Sequence, residues 1–252
     1  MTPPLPPARL AAEAAERART VATRPAASLT ALGLGTSSPL AATTTEDGAV
    51  LVAVPRSGGL AAAVHRSPER DLPARLTVTC RSPLPLRNPL RARLELAGWL
   101  TALPAGDEQE RVLAFADACP SDVLLDVGLT ATLLRLDLAE VLLHEGGACT
   151  EIAPEEYAAA RPDPVAAADA DLLADSARPL AVLCARVRAW TGDDSVHLLG
   201  LDRFGVLFRV EHRRGCYDLR TPFRAPLAGP DDVPAAVRGL LACARSGGSP
   251  TP

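Results

Sequence analysis

Three stretches of this chain alternate polar and apolar side chains: Arg75–Cys80, Arg91–Leu100 and Leu133–Leu143. A period of two puts every second side chain on one face of an extended backbone, so each stretch fits a half-buried strand. In the second, Arg91, Arg93 and Glu95 oppose Ala92, Leu94 and Leu96; in the third, Arg135, Asp137 and Glu140 are set among leucines. A further stretch, Ala49–Val54, is apolar throughout and predicts a buried strand entered from the turn signal Glu46-Asp47-Gly48. A chain built from such segments has to bury one face of a sheet.

Other elements can be placed around these strands. Ala8–Thr23 predicts a helix ended by Arg24-Pro25, because the residue before a proline disfavours helical backbone. Ser28–Leu32 and Pro39–Thr45 predict short strands, and Leu60–Arg66 a short helix. Val112, Phe115 and Ala116 give Glu108–Ala118 helical spacing. The pattern changes near Gly146-Gly147. Beyond it, Pro154–Ala160 predicts a short helix, Arg161-Pro162-Asp163-Pro164 a turn, and Val165–Trp190 one long or two short helices with Pro179 as the break. Val196–Leu201, Gly205–His212 and Cys216–Arg220 predict a three-strand meander. Asp231–Arg245 predicts a closing helix capped by Asp231 or Asp232 and followed by Gly247-Gly248. The predicted fold class is α+β: a proline-rich tail (1–7), a β-rich domain (8–147) and a smaller α+β domain (148–247).

Composition excludes several kinds of chemistry. The 252 residues are 48% hydrophobic, which suffices for a substantial core. Net charge is −4, against a nucleic-acid binder, and aromatics are only 3%, against extended base stacking. All 26 cationic residues are arginine. The absence of lysine excludes a P-loop lysine, a pyridoxal-type Schiff base and a Ser–Lys dyad. The N-terminal residues lack the basic and apolar regions of a signal peptide, and no uncharged apolar run approaches the roughly 20 residues that span a bilayer. The expected location is the cytoplasm. The six cysteines contain no C-x-x-C pair and fit small buried hydrophobes in a reducing compartment. With no H-x-x-x-H or H-x-E arrangement either, no metal site is expected. G-x-S-x-G is absent, and Gly33-Leu34-Gly35-Thr36-Ser37-Ser38 does not complete a dinucleotide fingerprint.

Several strings, in their order along the chain, resemble the haem-utilisation (HugZ-type) branch of the pyridoxamine-phosphate-oxidase-like split barrels. They are Leu60-Ala61-Ala62-Ala63-Val64-His65, Asp71-Leu72-Pro73-Ala74-Arg75-Leu76 and Asn88–Trp99 in the first part. In the second they are Ala160–Pro164, Leu199–Gly205 and Leu219–Phe223. The resemblance implies an FMN-binding-type split β-barrel, working as a homodimer, followed by the small domain that accompanies it in that branch. It implies haem as the ligand, with FMN as the alternative. Two departures bear on function. The histidines that relatives carry after the Pro-Asp-Pro turn are missing from Ala170–Pro179, and no lysine is available for a flavin phosphate.

Four imidazoles could supply an axial donor to haem iron. His65 aligns with the family's histidine after the apolar helix, and His144 ends a leucine-rich strand beside Glu145. His197 and His212 fit the solvated face of the meander. Guanidinium forks suit propionates or phosphates, which marks Arg87, Arg91 and Arg93 around Asn88. Arg56-Ser57-Gly58-Gly59 could hold a phosphate on exposed backbone N–H groups. Each has an ordinary structural use too: a capping histidine, a solvated strand face paired with Glu95, a glycine turn. The carboxylate pairs Asp193-Asp194 and Asp231-Asp232 fit turns and caps, and Arg213-Arg214 fits a hairpin tip.

Three functions follow as expectations. The first is a non-enzymatic or weakly enzymatic binding protein of the haem-utilisation type, for haem binding or haem-linked regulation, with His65 or His144 as donor and Arg91 or Arg93 on a propionate. The second is an FMN-dependent oxidoreductase holding phosphate through Arg56, Ser57 and the Arg87–Arg93 strand. The third is a protein-interaction module with a degenerate site and a protein partner. No nucleic-acid or membrane partner is expected.

Overall fold

The structure is a computed structural model describing residues 7–82, 84, 86–104, 106–168, 177–192 and 195–243. The tail, the histidine-free stretch 169–176, Asp193-Asp194 and Gly247-Gly248 lie outside the described residues. The chain forms two compact units. One is built from residues up to Arg81 together with Leu90–Pro162, the other from Ser82–Pro89 together with the residues from Asp163 onward.

In the first unit, helix α1 (Pro7–Ala22) precedes β1 (Ala27–Ala31), β2 (Gly35–Ser37), β3 (Ala41–Thr44) and β4 (Val50–Pro55). Helix α2 (Gly59–Arg66) leads to β5 (Asp71–Arg81) and β6 (Leu90–Ala102); α3 (Glu108–Ala118) and a 3-10 turn (Asp122–Asp126) precede β7 (Ala131–Glu145). Strand β8 (Ala148–Ile152) and helix α4 (Pro154–Ala159) complete the unit. The eight strands form one antiparallel sheet, a curled half-barrel of order β2-β1-β5-β6-β7-β4-β3, with β8 added to β7.

Burial follows the alternation. Ala74, Leu76 and Val78 of β5 and Leu94, Leu96 and Leu100 of β6 face the main core, where Ala14, Ala15 and Ala18 of α1 and Ala61 and Val64 of α2 meet them. Strand β4 is dry on both sides as its continuous apolar run requires. Val50, Val52 and Val54 join the main core, while Leu51 and Ala53 pack with Phe115 of α3 and Leu124.

On β7 the inward residues are Leu134 and Leu136 at first, then Val141 and Leu143. The change from even to odd is made by a bulge: Gly98 pairs with Leu138 and Ala97 with Glu140, leaving Ala139 as the extra residue. Glycine is required opposite it, since a Cβ at Gly98 would lie 1.9 Å from the Asp137 carbonyl oxygen.

The second unit contains α5 (Pro164–Ala167), α6 (Ala177–Thr191), the meander β9 (Ser195–Asp202), β10 (Gly205–His212) and β11 (Gly215–Pro222), a 3-10 turn (Pro230–Asp232), and α7 (Val233–Cys243). Its core gathers Val165, Leu180, Leu183, Val206, Phe208, Val210 and Val237. Inside it, Arg209 of β10 makes two hydrogen bonds to Asp218 of β11, at 2.7 and 2.8 Å, and also donates to the Asn88 carbonyl.

The α+β architecture expected from the alternation is present. Two strands were not anticipated: β2, too short for a period, and β8, whose pairing with β7 carries the first sheet past Gly147. Pro179, the expected break, lies at the start of a described helix, and residues 169–176 before that helix lie outside the described ones. It occupies the first turn of α6, where a missing N–H costs no intrahelical bond. Among the described residues no helix is long and apolar enough to cross a membrane.

Candidate functional face on strands β5 to β8

Strand register decides what gathers on the outer face of the first sheet. Leu94 and Leu143 point inward and are fully buried, so their neighbours Arg93 and His144 point outward. Arg93 pairs directly with His144, and His144 with Cys149 across the β7–β8 hairpin. The carboxylate of Glu95 is the hub of this face. It lies 3.1 Å from Arg93 Nε, 3.4 Å from Arg75 Nη1 and 3.6 Å from His144 Nε2. Cys149 Sγ lies 3.9 Å from the same imidazole nitrogen. Glu95 is sunk, at 13% exposure, while the Arg93 and Arg75 side chains stand out at 44% and 51%. With a neutral imidazole the cluster carries two guanidinium charges against one carboxylate. It therefore offers a nitrogen and a sulfur donor beside cations able to meet an anionic group.

Two of the predicted residues, Arg93 and His144, are thus brought together. His65 is separated from them, because it lies on the exposed side of α2, whose Ala61 and Val64 pack on the inner face of the sheet. Arg91 sits where the register of β5 and β6 shifts, between Arg81 opposite Leu90 and Cys80 opposite Ala92. Arg87 does not belong with Arg91 and Arg93. It falls in the second unit, where its amide donates to Glu211 Oε1 at 2.8 Å and its Nη1 to the His212 carbonyl at 3.1 Å.

The Arg56–Gly59 segment is engaged with backbone carbonyls of its own turn and of Gly128. The Arg56 guanidinium donates to the Gly128 carbonyl, and the Gly58 amide to the Pro55 carbonyl at 3.0 Å. Ser57 is exposed. His197 lies 3.8 Å from Glu211, and His212 accepts from the Arg214 amide at 3.2 Å. Among the described residues, no cluster of His, Cys, Asp or Glu fits a metal ion.

Sequence reading missed two members of this face. Cys149 is exposed, not one more buried hydrophobe. Only the His144–Cys149 register reveals its neighbour, and that register follows from β8. Alternation marks Arg75 only as a strand residue, and its approach to Glu95 needs the pairing of β5 with β6.

No protein-family model and no curated protein matches the sequence. Solved structures do. A heme-binding protein from Mycobacterium smegmatis is similar over 98% of this chain and 100% of its own, with a TM-score of 0.62 and 21% identity. A protein of unknown function from Agrobacterium tumefaciens, Atu2129, covers 95% and 100% at 18% identity with a TM-score of 0.45. An FAD- and heme-binding protein from M. smegmatis covers 57% and 77% at 16% identity with a TM-score of 0.38. At 21% identity the first likeness is one of fold.

Proposed function

We propose that this protein binds haem, or an anionic planar molecule like it, on the outer face of β5–β8. His144 supplies the axial nitrogen, and Arg93 with Arg75 receives the propionates. The observation that carries this reading is the direct pairing of Arg93 with His144 on one outward sheet face. The donor set fits the ligand: haem iron accepts a neutral imidazole or a thiolate, and guanidinium N–H groups match carboxylate oxygens. Glu95 holds both arginines and keeps their forks beside the imidazole. The fold likeness to a chain named as a heme-binding protein supports the same ligand class. The histidines missing from Ala170–Pro179 favour holding or haem-linked regulation over catalysis. A homodimer formed through this face, in the cytoplasm, would shield the ligand from water. The FMN alternative loses support because Arg56 and Gly58 are already engaged with backbone carbonyls.

Titration of the purified protein with hemin tests the proposal. A saturable Soret shift at stoichiometric hemin is expected, altered by His144→Ala and weakened by Arg93→Ala, but unchanged by His65→Ala. A protein with no saturable shift does not bind haem here. If FMN instead stays bound through desalting, the oxidoreductase reading takes its place.

A further inference from the structure

Toward the other end of β5 and β6, the outward side chains of the first sheet turn apolar. Leu32, just past β1, donates its amide to the Pro73 carbonyl of β5 at 3.0 Å. Pro73 pairs with Trp99 of β6, and Trp99 with Asp137 of β7. Ala31, Ala74, Leu100 and Leu136 beside them are buried, so this row stands on the outer face. Leu32 is 71% exposed and Trp99 47%. A singly exposed apolar residue is ordinary, but three in register make a patch, and patches mark contact sites.

The row is continuous with the Arg93–His144 cluster. On β6, Arg93, Glu95, Ala97 and Trp99 alternate with the buried Leu94, Leu96 and Leu100, so all four face outward. On β5, Arg75 lies two residues from Pro73 and pairs with Ala97, whose small side chain leaves the way open between the two ends of the face. Trp99 is four residues from Glu95, about 13 Å along a strand. The face is therefore amphipathic, with two guanidinium groups at one end and an indole beside a proline at the other. Its complement is a flat apolar molecule carrying carboxylates along one edge, and a porphyrin with its propionates is such a molecule.

We infer that Trp99, with Pro73, is the contact for the porphyrin ring, so that this protein recognises the ring as well as its iron and its carboxylates. An aromatic face stacks on a flat π-system and excludes water from both. The inference rests on the haem reading and adds to it a specificity-determining residue.

Absorbance titrations of the full chain with hemin and with metal-free protoporphyrin IX test it. Trp99→Ala weakens the binding of both by about tenfold, Trp99→Phe retains it, and His144→Ala weakens hemin alone. Should Trp99→Ala not fold, Trp99→Gln, which keeps a long side chain without the aromatic face, replaces it with the same expected loss. Hemin bound equally by the native protein and Trp99→Ala overturns the inference and leaves the haem reading standing, as does saturable binding of hemin with none of protoporphyrin IX. Binding of protoporphyrin IX that depends on Trp99, with no saturable binding of hemin, supports the ring contact and overturns the axial role of His144. Binding of neither overturns both. If Trp99→Ala turns a dimer into a monomer while hemin affinity is unchanged, the apolar row belongs to a second copy of the chain and the inference falls.

Discussion

The Asp163 carboxylate accepts the Arg203 amide at 2.7 Å, joining the start of α5 to the β9–β10 turn. Its other oxygen accepts the Val165 and Ala166 amides at 2.8 and 3.2 Å, so this fully buried aspartate is both helix cap and staple. Asp202 closes the same turn by accepting the Phe204 and Gly205 amides and the Arg220 guanidinium. The three strings that mark the second unit in the sequence therefore meet at one place. Asp163→Ala leaves three amides without their acceptor and should cost about 2–4 kcal/mol. Urea unfolding followed at Trp190, in a Trp99→Phe background, reports this unit; an unchanged midpoint would show the staple to be dispensable.

The Arg209–Asp218 pair is nearly excluded from water, at 4% and 8% exposure. Removing one partner strands a buried charge, whereas removing both removes the desolvation cost as well. Asp218→Ala should lose about 3–5 kcal/mol. The double variant Arg209→Leu/Asp218→Leu should be more stable than that single variant. Denaturant titrations of the two variants check the order, and a double variant less stable than Asp218→Ala contradicts it.

Gly98 tests the bulge that sets the parity of β7. A methyl there meets the Asp137 carbonyl, a backbone atom that cannot rotate away. Gly98→Ala should destabilise the first unit by about 3 kcal/mol or more. Gly59→Ala, where nothing lies within 4 Å of the added methyl, should be neutral or slightly stabilising. Similar melting temperatures for the two variants would mean the strands adjust freely.

Acid sensitivity has a contribution from Asp47. Hydrogen bonds from the Thr45 hydroxyl and from Arg111 Nη1 hold its carboxyl at about 2, below the ordinary 3.8. Because the folded value is the lower one, the stabilisation is complete above the unfolded value near 3.8 and disappears as pH falls through about 2. The side chain is 56% exposed, so solvent screening limits the effect to below about 1 kcal/mol. Asp47→Asn should lower stability at pH 6 and match the native protein near pH 2. A difference that persists at pH 2 would assign the loss to something other than titration.

Period and composition alone determined the strands that alternate, the two-faced burial of β4, the helices over Glu108–Ala118 and near Leu60–Arg66, the meander, and the absence of lysine chemistry. Each is a property of neighbours along the chain, and a neighbour's spacing is fully written in the sequence. Only the tertiary structure decided which of those residues meet. Arg87 and Arg93 are close in sequence yet belong to different units, while Arg93, His144 and Cys149 form a row through register. The bulge at Ala139 turns His144 outward, and the pairing of β1, β5 and β6 lines up Leu32, Pro73 and Trp99. Register and bulges come from pairing between distant segments, and no local period records such a pairing.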